Sequence, residues 1–115
     1  MLLKVNEIKQ GDVLILEIEG RLHGADSADF QDKIMDMLKE QPPKMLFDLS
    51  GMTRVDSMGL RAFIMTSNKV KSYEGKMALC GLQRIVEDVF DISGFSSFFT
   101  ICKTREEALS GLNGN

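Results

Sequence analysis

The sequence predicts an α/β domain: a mixed sheet with an opening antiparallel hairpin, parallel central strands and about four helices. Three observations carry this. Two apolar-rich runs, residues 3–8 and 13–19, flank a turn short enough to fold them into a hairpin. After them, short apolar runs alternate with segments of helical period, as in strands joined by helical crossovers. The chain of 115 residues, 43% hydrophobic and 27% charged, has the ordinary composition of one globular domain with its own core.

Each element has a local reason. Leu3, Val5 and Ile8 set against Lys4, Asn6 and Glu7 read as an edge strand. Gln10, Gly11 and Asp12 form the turn, and Val13, Leu14, Ile15, Leu16 and Ile18 mark the second strand. Residues 20–24, GRLHG, leave the hairpin. A helix then starts at Asp26 or Ser27 and runs to about Glu40. Its apolar face is Ala28, Phe30, Ile34, Met35 and Leu38, while Asp29, Asp32, Lys33, Asp36 and Lys39 face water. Pro42 and Pro43 stop it.

Residues 45–49 read as a short buried strand and residues 51–55 as a loop. Asp56 or Ser57 caps the next helix, which runs to about Tyr73. Leu60, Phe63, Ile64, Ser67 and Val70 share its sheet side; Met58, Ala62, Met65 and Lys69 share another. Met58, Ala62 and Met65 either help close the core or form an exposed apolar patch rimmed by Arg54 and Arg61. Gly75 reads as the helix cap. Residues 77–80 are a strand, broken by Gly81. Residues 82–92 are a helix with Leu82, Ile85, Val86, Val89 and Phe90 inward. Phe95, Phe98 and Phe99 lead to a last strand at 100–102, and Thr104 with Glu107 reads as a capping box for a final helix at 106–112.

Composition also narrows the function. A net charge of −3 argues against direct nucleic-acid binding. No apolar run approaches the roughly 18 residues that span a bilayer, so membrane insertion is not expected. The opening residues lack the layout of a secretory signal, which makes the cytoplasm the default. Cys80 and Cys102 read as buried free thiols; with a single histidine they make no metal motif. No nucleophile–base pair or Gly-rich phosphate loop is visible, so neither an enzyme nor a cofactor is expected.

What remains is the stretch from Met45 to Leu60, MLFDLSGMTRVDSMGL, which puts Ser57 beside an acid at a strand–loop–helix edge. Either this is simply a helix cap, or Ser57 carries a regulatory phosphate, which a helix N-terminus favours. A receiver-like domain with Asp48 as acceptor would need magnesium-binding acids at the end of its first strand, and an opening hairpin does not suit it.

FDLSGMTRVDSMGLRAFI resembles the signature of the STAS domain family, the bacterial anti-sigma factor antagonists (anti-anti-sigma factors). Asp48, Leu49, Ser50, Gly51, Asp56, Ser57, Gly59 and Leu60 match it. In GRLHGADSADFQDKI, Gly20, Leu22 and Ala28 also fit. Met58 departs where many members carry a second small hydroxyl residue, and His23 where they usually carry an acid. His23 is either an exposed loop residue or a contact whose charge varies near neutral pH.

The resemblance implies one STAS domain over residues 1–115, with Ser57 as phosphoacceptor. It implies a partner-binding surface of His23, Gly24, Asp56, Ser57, Met58, Gly59, Arg61 and Met65. The implied partners are an anti-sigma factor that is also a serine kinase, and a serine phosphatase. The unphosphorylated protein would bind the kinase and release a sigma factor; phosphorylation of Ser57 would end the binding. The alternative is a stand-alone STAS subunit of a membrane transport complex.

Overall fold

The computed structural model describes residues 3–114. Among these residues five strands, β1 (Lys4–Gln10), β2 (Val13–Leu22), β3 (Lys44–Val55), β4 (Lys76–Cys80) and β5 (Ile101–Cys102), form one sheet in the order β1-β2-β3-β4-β5. The β1–β2 pair is antiparallel and the other pairs are parallel. Four α-helices, α1 (Ala25–Met37), α2 (Ser57–Ser72), α3 (Arg84–Ile92) and α4 (Arg105–Leu112), follow β2, β3, β4 and β5. A short 3-10 turn, Leu38–Glu40, extends α1. This is the architecture that the hairpin and the alternating runs predict.

Period two along the strands divides the core. Leu16, Ile18, Met45, Phe47 and Leu49 pack under α1, α2 and α3; Val13, Ile15, Leu46 and Ala78 pack under α4. Buried on both faces, the start of β3 reads as a nearly continuous apolar run. Phe30, Phe47 and Phe63 meet at the centre of the larger core, with Phe47 edge-on to Phe63 at 5.3 Å between ring centroids. Cys80 and Cys102 are free and occupy partner positions of β4 and β5. Burial pushes the Cys80 thiol up to about 12.

Several elements differ from expectation. β2 does not end at Glu19, and residues 51–55 are strand instead of loop. Leu22, Met52 and Val55 are all buried, and Leu22 pairs with Val55 across the β2–β3 ladder. Two register irregularities, at Glu17/Glu19 and at Gly20/Arg21, absorb the mismatch between the strands. In α1, Ala28 is exposed and Ser27 is buried in its place. Ala62 of α2 is fully buried, so it belongs to the core. In α3, Val86 and Phe90 fill the sheet side, which leaves Ile85 54% exposed. After α2 the positive φ falls on Glu74, at 64°, and not on Gly75. Gly75 is kept small by crowding: a Cβ there would lie 2.8 Å from the Tyr73 ring and 2.9 Å from Val70.

The end of the chain is fastened by polar bonds. Thr104 caps α4 by accepting from the Glu107 N–H at 3.1 Å, and Glu107 reaches back to accept from the Lys103 N–H at 3.1 Å. Arg105 crosses to the sheet, where its guanidinium binds Glu17 and, at 2.7 Å, Asp48. Bonds from Asn6 and Arg105 hold the Glu17 carboxyl below its ordinary value. Asp48 is also lowered: burial opposes its charge, but bonds from Arg105 and Ser50 outweigh it.

Candidate functional site

At the C-terminal ends of β2 and β3 the chain turns into α1 and α2, and Asp56 ties these turns together. Its backbone N–H donates to the Leu22 carbonyl at 3.0 Å, and its own carbonyl accepts from the Leu60 N–H at 2.9 Å. Its side chain caps α2: Oδ1 accepts from the Gly59 N–H at 2.8 Å and from the Ser27 hydroxyl at 2.7 Å. Oδ2 accepts from the Gly24 N–H at 2.8 Å. Gly24 is itself the N-cap residue of α1, with φ at 61° and no side chain to offer, so Asp56 supplies the polar contact that this helix start lacks. Burial works against the Asp56 charge, but the bonds from Gly59, Gly24 and Ser27, with the nearby His23, hold its carboxyl below the usual value.

The choice between Asp56 and Ser57 as cap is thereby settled in favour of Asp56. Ser57 is the first residue of α2 and is exposed. Met58 is 46% exposed, Arg61 is exposed and Met65 is half-buried. The spacing of Met58, Arg61 and Met65 puts them on one stripe of α2. His23 is half-buried and Gly24 exposed, on the turn that Asp56 holds. With Ala62 in the core, the apolar patch next to Ser57 reduces to Met58 and Met65.

Gly59 is kept small from within the fold: a Cβ would lie 2.8 Å from Leu22 Cγ, 2.9 Å from Leu22 Cδ2 and 3.0 Å from Val55 Cγ2. A Gly59→Leu protein would fail in the core and could not report on a partner. For Gly59→Ala, overpacking costs about 1–3 kcal/mol, of which better helix propensity returns up to about 1 kcal/mol. A net loss of roughly 1 kcal/mol is expected in urea denaturation. A stabilised Gly59→Ala protein would show that Leu22 and Val55 move aside freely.

The sequence offers Ser27 as a possible start of α1 and not as part of the site. Its partner lies 29 residues away, and a serine beside an alanine carries no short-range sign of burial. The assembled site is one outward hydroxyl on a fixed frame. The neighbouring carboxylate is already engaged by three donors, so it is a structural group and not a free base.

The family profile of the STAS domain matches residues 4–108. BtrV of Bordetella bronchiseptica, provisionally named an anti-sigma factor antagonist, is 26% identical over 106 residues, covering 92% of this chain and 91% of BtrV. Solved structures share the fold at low identity. An anti-sigma factor antagonist from Mycobacterium paratuberculosis superposes with a TM-score of 0.88 at 17% identity, over 96% of this chain and 94% of its own. The anti-sigma factor antagonist SpoIIAA, in its unphosphorylated form, gives 0.80 at 17% identity, over 98% and 97%. SpoIIAA of Bacillus in its phosphorylated form gives 0.70 at 15% identity, over 95% and 97%. With its residues matched almost from end to end, and the fold to go with them, this chain belongs to the STAS domain family.

Proposed function

We propose that this protein is an anti-sigma factor antagonist switched by phosphorylation of Ser57. Unphosphorylated, it binds an anti-sigma factor that is also a serine kinase, and a sigma factor is released. The kinase phosphorylates Ser57, the complex separates, and a serine phosphatase restores the binding form.

The observation that carries this reading is the division of labour between Asp56 and Ser57. Asp56 makes the capping bond, so modifying Ser57 removes no bond that holds the fold. The first N–H groups of α2, at Ser57 and Met58, have no partner within the helix and favour an anion there. A phosphate would add a charge of about −1.5 to −2. Asp56 next to it repels that charge in part. The fold can therefore carry both forms, and the difference between them is felt at the surface, where a partner must desolvate or repel the dianion. The names of the relatives point the same way, as does the existence of SpoIIAA in two phosphorylation states.

The test is intact mass with site mapping, on protein from its host and after incubation with the host's candidate anti-sigma kinase and ATP. A single phosphate on Ser57 is expected. A phosphate elsewhere, or none while the kinase binds, would sink the switch. Absence of any binding would favour the stand-alone subunit of a transport complex.

A further inference from the structure

A cleft of 340 Å³ opens at the opposite end of α2 from Ser57, between the last turns of α2, the start of β4, residues 98–100 and α4. Its special feature is an unfinished sheet edge. Among the described residues β5 pairs only with Leu79 and Cys80 of β4. The Leu79 N–H donates towards β5, to the Thr100 carbonyl at 2.8 Å; the Lys76 N–H donates the other way, to the Pro43 carbonyl at 2.9 Å. Alternate residues of a parallel strand send their backbone groups to the same side. Met77 therefore turns its N–H and C=O the way Leu79 does, but at a level where β5 has not begun. These groups face the cleft, which Met77 lines.

The walls suit a side chain on each side of an added strand. Val70 and Phe99 are buried on the α2 side, Ala108 and Leu112 on the α4 side. Lys71 and Lys76 are exposed at the rim, and among the described residues neither has a carboxylate within 4.0 Å. Lys71 Nζ sits 4.5 Å from the centre of the Phe98 ring, which holds one cation over the opening. We propose that this cleft takes an extended acidic segment of another protein, added to the free edge of β4 beside Met77 and held at its acidic residues by Lys71 and Lys76. Backbone pairing would supply the register and alternating apolar side chains the fit. The two lysines would select negative charge.

The experiment uses the whole chain, isotope-labelled, titrated with an acetylated and amidated short peptide of two central valines, one for each wall, flanked on both sides by aspartate pairs. The Met77 amide resonance should shift, and its hydrogen exchange should slow roughly tenfold. The same peptide with lysine for aspartate should have no effect. The Lys71→Glu, Lys76→Glu protein leaves the backbone intact and should bind the aspartate peptide at least about tenfold more weakly. An unmoved Met77 amide at millimolar peptide would overturn the proposal, as would equal binding of the lysine peptide. Valerate giving the same shift without slower exchange would assign the cleft to small carboxylates, against strand addition. Protection of Met77 that grows with protein concentration alone would assign it to a second copy of the chain, again against the proposal.

Discussion

Asp56→Ala is expected to lower stability by about 3 kcal/mol, although only one side chain on the rim of the domain changes. Loss of a helix cap alone costs typically about 1 kcal/mol. Here the same carboxylate also accepts from the Gly24 N–H and from the buried Ser27 hydroxyl. Bonds to a charged group contribute about 1.5–3 kcal/mol each in favourable cases, and partial exposure at this site brings each nearer to about 1 kcal/mol. Removing the acceptor also strands the Ser27 hydroxyl in a position closed to water. Asp56→Asn keeps one oxygen and should lose about half as much, since its amide cannot accept from both Gly24 and the Gly59–Ser27 pair. Urea denaturation with an unchanged m-value is the measurement. A loss below about 1 kcal/mol would mean that Asp56 is an ordinary cap and that the two helix starts are not coupled through it.

The same group gives a pH dependence. The folded-state pKa of Asp56 is depressed, as are those of Asp48 and Glu17. Their stabilisation is fully present above the ordinary carboxylate value and is lost as pH falls through the folded values. Wild-type stability should decline on acidification below about pH 4. The decline should be shallower in Asp56→Ala, which has already lost one of the three contributions. Parallel curves for the two proteins would contradict the assignment.

Most of the architecture is legible in the residues because it rests on period. Strands alternate in twos and helices repeat near four, and those rhythms survive without any tertiary knowledge. What is not legible depends on which neighbour arrives. Residues 51–55 look like a loop because Thr53 and Arg54 are polar and exposed, while Met52 and Val55 are buried. That asymmetry needs the pairing with the end of β2. Ile85 looks like a core residue because α3 carries apolar side chains on more than one side, and only the sheet shows that Val86 and Phe90 suffice. Ala28 gives way to Ser27 because a carboxylate 29 residues further on waits for a hydroxyl. At the candidate site, the local sequence narrows the cap to Asp56 or Ser57. It gives no hint that the chosen one also holds α1, nor that Arg105, at the far end of the chain, binds Glu17 and Asp48.

Ser57→Asp should bind the proposed anti-sigma kinase partner about 100-fold more weakly than wild type, with folding stability within about 0.5 kcal/mol of it. The two halves of this expectation have separate causes. Stability is spared because the substituted side chain is exposed at the first position of α2, where a carboxylate meets the positive end of the helix. The adjacent Asp56 takes back part of that gain, so no net stabilisation is expected. Binding suffers because the new charge would stand in the middle of the proposed contact surface, beside Met58, where closing the interface must strip its water. A penalty of about 2–3 kcal/mol is usual for an unpaired charge in a closed interface, and each 1.4 kcal/mol is about a factor of ten. Aspartate carries half the charge of a phosphate, so this is the smaller version of the switch. Ser57→Ala should bind as wild type does and should resist any loss on incubation with ATP. Titration calorimetry of the three proteins against the kinase separates the causes. If Ser57→Asp binds as tightly as Ser57→Ala, charge at this position does not govern the contact; if it binds weakly only because it is unfolded, the urea curve will show that first.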